Sequence, residues 1–212
     1  MRLKWLGHAC FLLTLNDGTR ILTDPFDEKV GYEVPSVEAD IVTCSHGHYD
    51  HAHTGVVKGD FFTVREPGTY NKNGIEILGV STFHDEEGGA KRGANTVFKF
   101  MVDGVAVCHC GDLGHVLSDE QINRLGKVDV LLVPVGGVYT LDAAGAAEVV
   151  KQLKPSVTVP MHYKTPDLKF ALEPVDAFLT ITGKGEMAGI QEIELEKGTL
   201  RQLPEILLLN YK

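Results

Sequence analysis

Between residues 40 and 51 an apolar run, DIVTC, breaks directly into the string SHGHYDH. A run rich in Ile, Val and Thr favours extended chain that packs on a pleated surface. The imidazoles and carboxylate that follow cannot be buried without partners. The run therefore reads as a buried strand and the string as a loop at its C-terminal end. Alternation lets His46 and His48 point the same way towards one cation. Past the turn, Asp50 and His51 can face a second. Four of the chain's nine histidines fall between 46 and 53. A chance H-x-H-x-D-H in a chain of this make-up is expected about once in a thousand such chains. Imidazole with carboxylate suits zinc first, with manganese, iron or nickel as alternatives where more oxygen ligands join.

One loop cannot complete two metal sites, so further ligands are expected at other strand ends. Asp24 follows RILT, His84 ends ILGVSTF, Asp112 follows VAVCHCG and His162 follows SVTVPM. Each lies just past an apolar strand, where sheets with parallel pairs usually carry their sites.

Short β-rich runs fill the chain: FLLTL, RILTD, DIVTC, FFTV, IEILGVSTF, NTVFKFMV, VAVCHC, DVLLVPV, SVTVPM and EILLLN. Asn16-Asp17-Gly18, Pro67-Gly68, Asn73-Gly74 and Asp103-Gly104 are turn signals, and the last sits between two apolar runs as a hairpin should. Two segments read as helices. SDEQINRLG has Ser118 as N-cap, Gln121 to complete a capping box and Gly126 as stop. LDAAGAAEVVKQLKP has helical periodicity and Pro155 just beyond it. Strands such as DVLLVPV, apolar on both faces, must be covered on both sides. The pattern predicts an α/β protein with two sheets packed on each other and helices outside, formed by one domain over residues 1–212.

The basic start MRLKWLGHACFLLTL is broken by Gly7 and His8 and reads as a first strand, not a signal peptide. No apolar run approaches the roughly 20 residues a membrane span needs. A net charge of −9 counts against broad nucleic-acid binding, which needs clustered Lys and Arg. Cys10, Cys44, Cys108 and Cys110 form no CxxC, so a reduced, cytoplasmic protein is expected. The pair in 108-CHC-110 is read as buried and structural.

The ordered set ILTDP (Asp24), HxHxDH (His46 to His51), FHDEEGG (His84), CHCGDLGH (Asp112) and VPMHY (His162) resembles the metallo-β-lactamase superfamily. The strings GDLGH, LLVPVGGVYTLDAAGA and PMHYKT resemble its small stand-alone metal-dependent hydrolase branch, nearer the lactonase and phospholipase-D-like members than the true β-lactamases. The resemblance spans residues 2–180. It implies a four-layer αββα sandwich of two mixed sheets with a metal site at one edge. It assigns His46, His48 and His84 to one metal, Asp50, His51 and His162 to the second, and Asp112 to both. Asp24 would orient a ligand histidine, since a carboxylate on the remote ring nitrogen fixes the tautomer.

Two divalent cations about 3.5–4 Å apart can share a hydroxide, polarise a scissile group and neutralise the developing oxyanion. Asp50 is the residue expected to orient that hydroxide and take its proton. No G-x-S-x-G elbow offers a covalent route. The expected activity is hydrolysis of a phosphodiester, ester or lactone bond in a small anionic substrate; a homo-oligomer is an open question. Two other readings remain: an iron-dependent oxidoreductase on the same fold, and a non-catalytic metal-binding protein. Around the site, His8 and His115 are read either as proton donors or as structural groups. Thr140 or Asp142 should cap a helix, Tyr139 can line a pocket and Lys164 can meet a substrate anion. Lys91 and Arg92 sit in a glycine-rich loop, 85-DEEGGAKRGAN-95, that is either a lid or a soluble surface loop. Asp85 is expected only to cap its turn, and His53 to lie outside the metal shell.

Overall fold

Asp103 and Gly104 turn the chain between β8 (Ala94–Val102) and β9 (Val105–His109). Both have positive φ, +49° and +76°, the conformation a two-residue hairpin needs at both central positions. Asn73 and Gly74 do the same, at +54° and +81°, between β6 (Gly68–Lys72) and β7 (Ile75–Phe83). These turns order one half of the protein. The computed structural model describes residues 1–183 and 185–212.

The first sheet runs β13-β1-β2-β3-β4-β5 and the second β11-β10-β9-β8-β7-β6. The first contains β1 (Arg2–Gly7), β2 (Cys10–Thr14), β3 (Arg20–Thr23), β4 (Ile41–Thr43), β5 (Phe62–Val64) and β13 (Glu192–Glu194). The second adds β10 (Val130–Pro134) and β11 (Val157–Met161). Both are mixed: β3, β4 and β5 are parallel, as are β9, β10 and β11, and the remaining pairs are antiparallel. The sheets face each other across one core. Phe11, Leu13, Ile21 and Ile41 meet Ile77, Phe98, Phe100, Val107 and Leu132 there.

Strand alternation sends Cys10, Leu22 and Val42 to the other face of the first sheet. Phe26, Val30, Tyr32, Ala39, Leu168 and Leu172 cover them. That outer layer is irregular chain. The three α-helices of the described residues, α1 (Asp119–Leu125), α2 (Ala143–Leu153) and α3 (Asp176–Thr182), gather on the second sheet's side. Ser118 and Gln121 form the expected capping box, and Asp142, not Thr140, caps α2 by accepting from Gly145 N at 2.7 Å.

Several elements depart from the sequence reading. EILLLN is reduced to a two-residue strand, β14 (Leu207–Leu208), beside β12 (Glu186–Met187). β6, β12, β13 and α3 were not expected: β6 is a polar, half-exposed strand, β12 and β13 are two and three residues long, and α3 has no side-chain cap. All four cysteines are buried, as expected for Cys108 and Cys110, and none is paired in a disulfide among the described residues.

Candidate metal centre

Six strands hand their C-terminal ends to one place. His8 follows β1, Asp24 follows β3, the 46–51 string follows β4, His84 follows β7, Asp112 lies beyond β9, and His162 follows β11. The chain must turn sharply at each exit. His8, Asp24 and His162 do so with φ of +53°, +42° and +51°. Such conformations cost on the order of 1–3 kcal/mol each and persist only where the surroundings hold them. Here they are held. The carbonyl of His8 accepts from the Trp5 indole N–H at 3.0 Å and from His162 N at 3.2 Å. Asp24 N donates to Thr43 O at 2.8 Å.

Glycine makes the Asp112 turn. Gly111 has φ +55°, and a Cβ there would lie 2.4 Å from Ser45 Cβ and 2.5 Å from Asn95 Oδ1. The close approach lets Asn95 Oδ1 accept from Asp112 N at 3.0 Å, while its amide donates to Thr82 Oγ1 and Cys110 O. His109 braces the same turn from below. Its Nδ1 accepts from Gly111 N at 3.2 Å, so its Nε2–H donates to Ala9 O, at 2.7 Å. One buried ring thus ties the His8 turn to the Asp112 turn.

Asp112 sits at the middle, 2% exposed. Its Oδ1 lies 3.2 Å from both His51 Nε2 and His162 Nε2. Its Oδ2 lies 3.1 Å from His84 Nε2 and 3.9 Å from His46 Nε2. His46 Nε2 is 2.9 Å from His48 Nδ1. Asp50 Oδ2 is 3.7 Å from His51 Nε2 and 3.3 Å from His8 Nε2. All seven expected ligands therefore converge. Donor atoms of six of them, together with His8, fall into groups that can hold a metal: His46, His48 and His84; His46, His51 and Asp112; and His8, His51 and His162, with Asp50 in none of the three.

Asp24 lies behind them, fully buried. Its Oδ1 accepts from Ser45 N at 2.7 Å, and its Oδ2 from the Ser45 hydroxyl at 2.6 Å and from His51 Nδ1 at 2.7 Å. That bond leaves His51 Nε2 facing Asp112. Burial raises the Asp24 carboxyl, but His109, His51 and Ser45 outweigh it and hold the group below its ordinary value.

The electrostatics suit a cation. Burial, then the charge on His51, pushes the His46 imidazole down to about 3. Burial, then His162, pushes His8 down to about 4, and His48 is lowered by the same kind of effect. Neutral imidazoles are the form that ligates; His51, which against its burial Asp112 and Asp24 raise well above its ordinary value, must give up its Nε2 proton to do so. Burial works against ionisation of Asp112, yet His162 and His51 keep its carboxyl well below the usual range. Among the described residues, His51 Nε2 and Asp112 Oδ1 are buried with no hydrogen-bond partner, a cost of about 1–3 kcal/mol for each such group. A cation between them removes that cost. The residues fit a metal.

The other candidates separate cleanly. His53 lies outside these groups. His115 accepts from Phe83 N through Nε2 and donates through Nδ1 to Val116 O, so it braces the end of β7. Lys164 donates to the carbonyls of Leu168 and Phe170, so it holds a loop and does not reach into the cleft. Asp85 accepts from four backbone N–H groups, of Glu87, Gly89, Lys91 and Arg92. It organises the whole loop. A cleft of about 320 Å³ opens over the centre, lined beyond the expected ligands by Tyr49, Arg92, Tyr139 and Phe170. Sequence reasoning missed Tyr49, Phe170 and His109, and gave no decision on His8. For His8 a signal existed: like the other site residues it follows an apolar strand directly.

A sandwich of two mixed sheets with a His/Asp cluster able to bind metal places the protein among the metal-dependent hydrolases of the metallo-β-lactamase fold. The chain belongs to the β-lactamase superfamily, whose domain model matches residues 2–162. It is 31% identical over 194 residues to a UPF0173 metal-dependent hydrolase of Thermoplasma acidophilum, covering 79% of this chain and 85% of that one. A UPF0173 metal-dependent hydrolase of Archaeoglobus fulgidus is 31% identical over 216 residues, covering 87% and 92%. A crystal structure of a metallo-β-lactamase superfamily protein from Thermotoga maritima superposes with a TM-score of 0.82. It is 44% identical and covers 98% of this chain and 97% of that chain.

Proposed function

We propose that the centre holds two divalent transition-metal ions, zinc first among them, and hydrolyses a phosphodiester, ester or lactone bond in a small anionic substrate. The observation that carries this reading is the division of Asp112. One of its oxygens faces His51 and His162, and the other faces His84 and His46. A carboxylate addressed on each oxygen by a separate pair of imidazoles suits a bridge between two cations. His48 would complete the first set and Asp50 the second.

When bound, such a pair of cations supplies Lewis-acid polarisation of the scissile group and brings the pKa of a coordinated water towards neutrality. The chain's own residues do the rest. Asp24 fixes His51 by its remote nitrogen. Asp50, lining the cleft and held below its ordinary pKa, is the group placed to orient the attacking water and accept its proton. Against its burial, the hydrogen bond to His8 and the charge on His51 keep it ionised.

Two measurements test this. Metal analysis should find close to two transition-metal ions per chain, and a value that cannot be raised above one by reconstitution overturns the dinuclear assignment. Asp50→Ala should cut turnover of bis(p-nitrophenyl) phosphate or of an ester and lactone panel by about 100-fold or more, with an unchanged circular dichroism spectrum. Retained activity removes Asp50 from the mechanism.

A further inference from the structure

Among the described residues, one permanent cation lines the cleft. Arg92 lines it beside Asp50, Asp112 and His162. Its neighbour Lys91 is neutralised by Glu86 and Glu87. The Arg92 guanidinium has no carboxylate within ion-pair reach among the described residues. It donates through Nη2 to Val138 O at 3.0 Å and lies over the Tyr139 ring, 5.5 Å from its centroid. In a chain of net charge −9, an uncompensated guanidinium beside a metal centre invites an anion.

The side chain is also pre-positioned. Arg92 N donates to Asp85 Oδ2 at 2.7 Å, within the loop that Asp85 gathers. The carbonyl it grips belongs to Val138, a β-branched residue at φ +59°, a conformation such residues rarely adopt. That segment is fixed against the centre, since a Cβ on Gly136 would lie 2.2 Å from His162 O. Two loops are thus clamped by one bond, and the remaining guanidinium N–H groups, without partners among the described residues, are left for an oxyanion that presents two oxygens, which Arg binds in a fork. Tyr49 and Phe170, edge to face at 6.3 Å, add a second aromatic surface to the cleft.

We propose that Arg92 is the specificity-determining residue of this cleft: it receives a non-reacting carboxylate or phosphate of the substrate, while the bond to be cleaved lies over the Asp112 centre. The proposal rests on the hydrolase reading above and names what that reading leaves open. The substrate has two ends, an oxyanion for Arg92 and a hydrolysable bond elsewhere. Its connecting body is small and apolar enough to lie against aromatic rings in about 320 Å³.

The test compares mono-(p-nitrophenyl) glutarate with its uncharged counterpart, p-nitrophenyl pentanoate, on the metal-loaded protein. In both, water's oxygen bonds to the acyl carbon, the acyl C–O bond breaks and p-nitrophenolate leaves; one proton of the water passes through Asp50 to solvent and the second is lost as the new carboxylic acid ionises. In Arg92→Gln the ratio of kcat/KM for the glutarate ester over the pentanoate ester should fall by about tenfold or more, mainly through KM. Arg92→Lys should fall between. An equal effect on both esters, or none, overturns the proposal and leaves the hydrolase reading standing. Calorimetric binding of glutarate, and separately of inorganic phosphate, decides Arg92 even without turnover. Whichever anion Arg92 serves should bind about tenfold more weakly to Arg92→Gln. Equal affinity of wild type and variant for both anions overturns the proposal.

Discussion

Asp24 Oδ2 accepts from His51 Nδ1 at 2.7 Å, and with that bond it selects the His51 nitrogen that meets Asp112. Neither residue lines the open cleft. Asp24→Asn keeps the size of the side chain but replaces one of the two acceptors it uses with a donor. Metal affinity should fall by about 10–100-fold, read by chelator competition, with the fold retained. Unchanged affinity would show that His51 is oriented by its surroundings without Asp24.

Gly111 is required by space as well as by backbone. Gly111→Ala puts a methyl against Ser45 and Asn95, at 2.4 and 2.5 Å, and holds alanine in a left-handed conformation that costs about 1–2 kcal/mol. Ser45 belongs to the Asp24 network and Asn95 holds Asp112 N, so the strain lands on the centre itself. The variant should lose thermal stability and metal together. A lowered Tm with full metal content would separate the turn from the site.

Much of this was legible because of where the residues fall in the chain. Asp24, His46, His84, Asp112 and His162 each follow an apolar run, and position alone made them one set. His8 obeys the same rule, yet a single histidine in LGHAC carries no spacing to distinguish a site residue from a structural one. Phe170 could not be read at all, because Lys164 brings it to the cleft through carbonyl contacts that leave no pattern. The sheets were readable from their alternation and turns. The irregular layer over the first sheet was not: Phe26, Val30 and Leu168 pack as isolated apolar residues in polar surroundings, without a period to follow.

Asp85 shows how one carboxylate sets a loop. Its oxygens gather backbone N–H groups at 2.7–3.0 Å, and against its burial these bonds pull the carboxyl down to about 2. Asp85→Asn replaces one of those acceptors with a donor. Amide exchange at Lys91 and Arg92 should quicken, and exchange in β7 should stay slow. No change in the loop would mean that its turns hold without Asp85.

Asp129, outside the candidate metal centre, offers a pH-dependent test. Its buried carboxylate accepts from Ala106 N at 2.9 Å and from Lys197, with Lys127 at 3.5 Å. Burial raises the group, but the Lys197 and Ala106 bonds outweigh it and leave the carboxyl below its ordinary value. A depressed folded-state pKa stabilises the native state above the unfolded value of about 3.9, and the contribution is lost as pH falls through the lower folded value. Asp129→Ala should therefore cost about 2 kcal/mol at pH 7, several degrees in Tm for a chain of this size. The gap from wild type should shrink as pH falls below about 4. The backbone bonds of Asp129 to Ala106, Ser156 and Val157 survive the change, so the difference isolates the carboxylate. A gap equally wide at pH 3 and pH 7 would assign the effect to packing and not to charge.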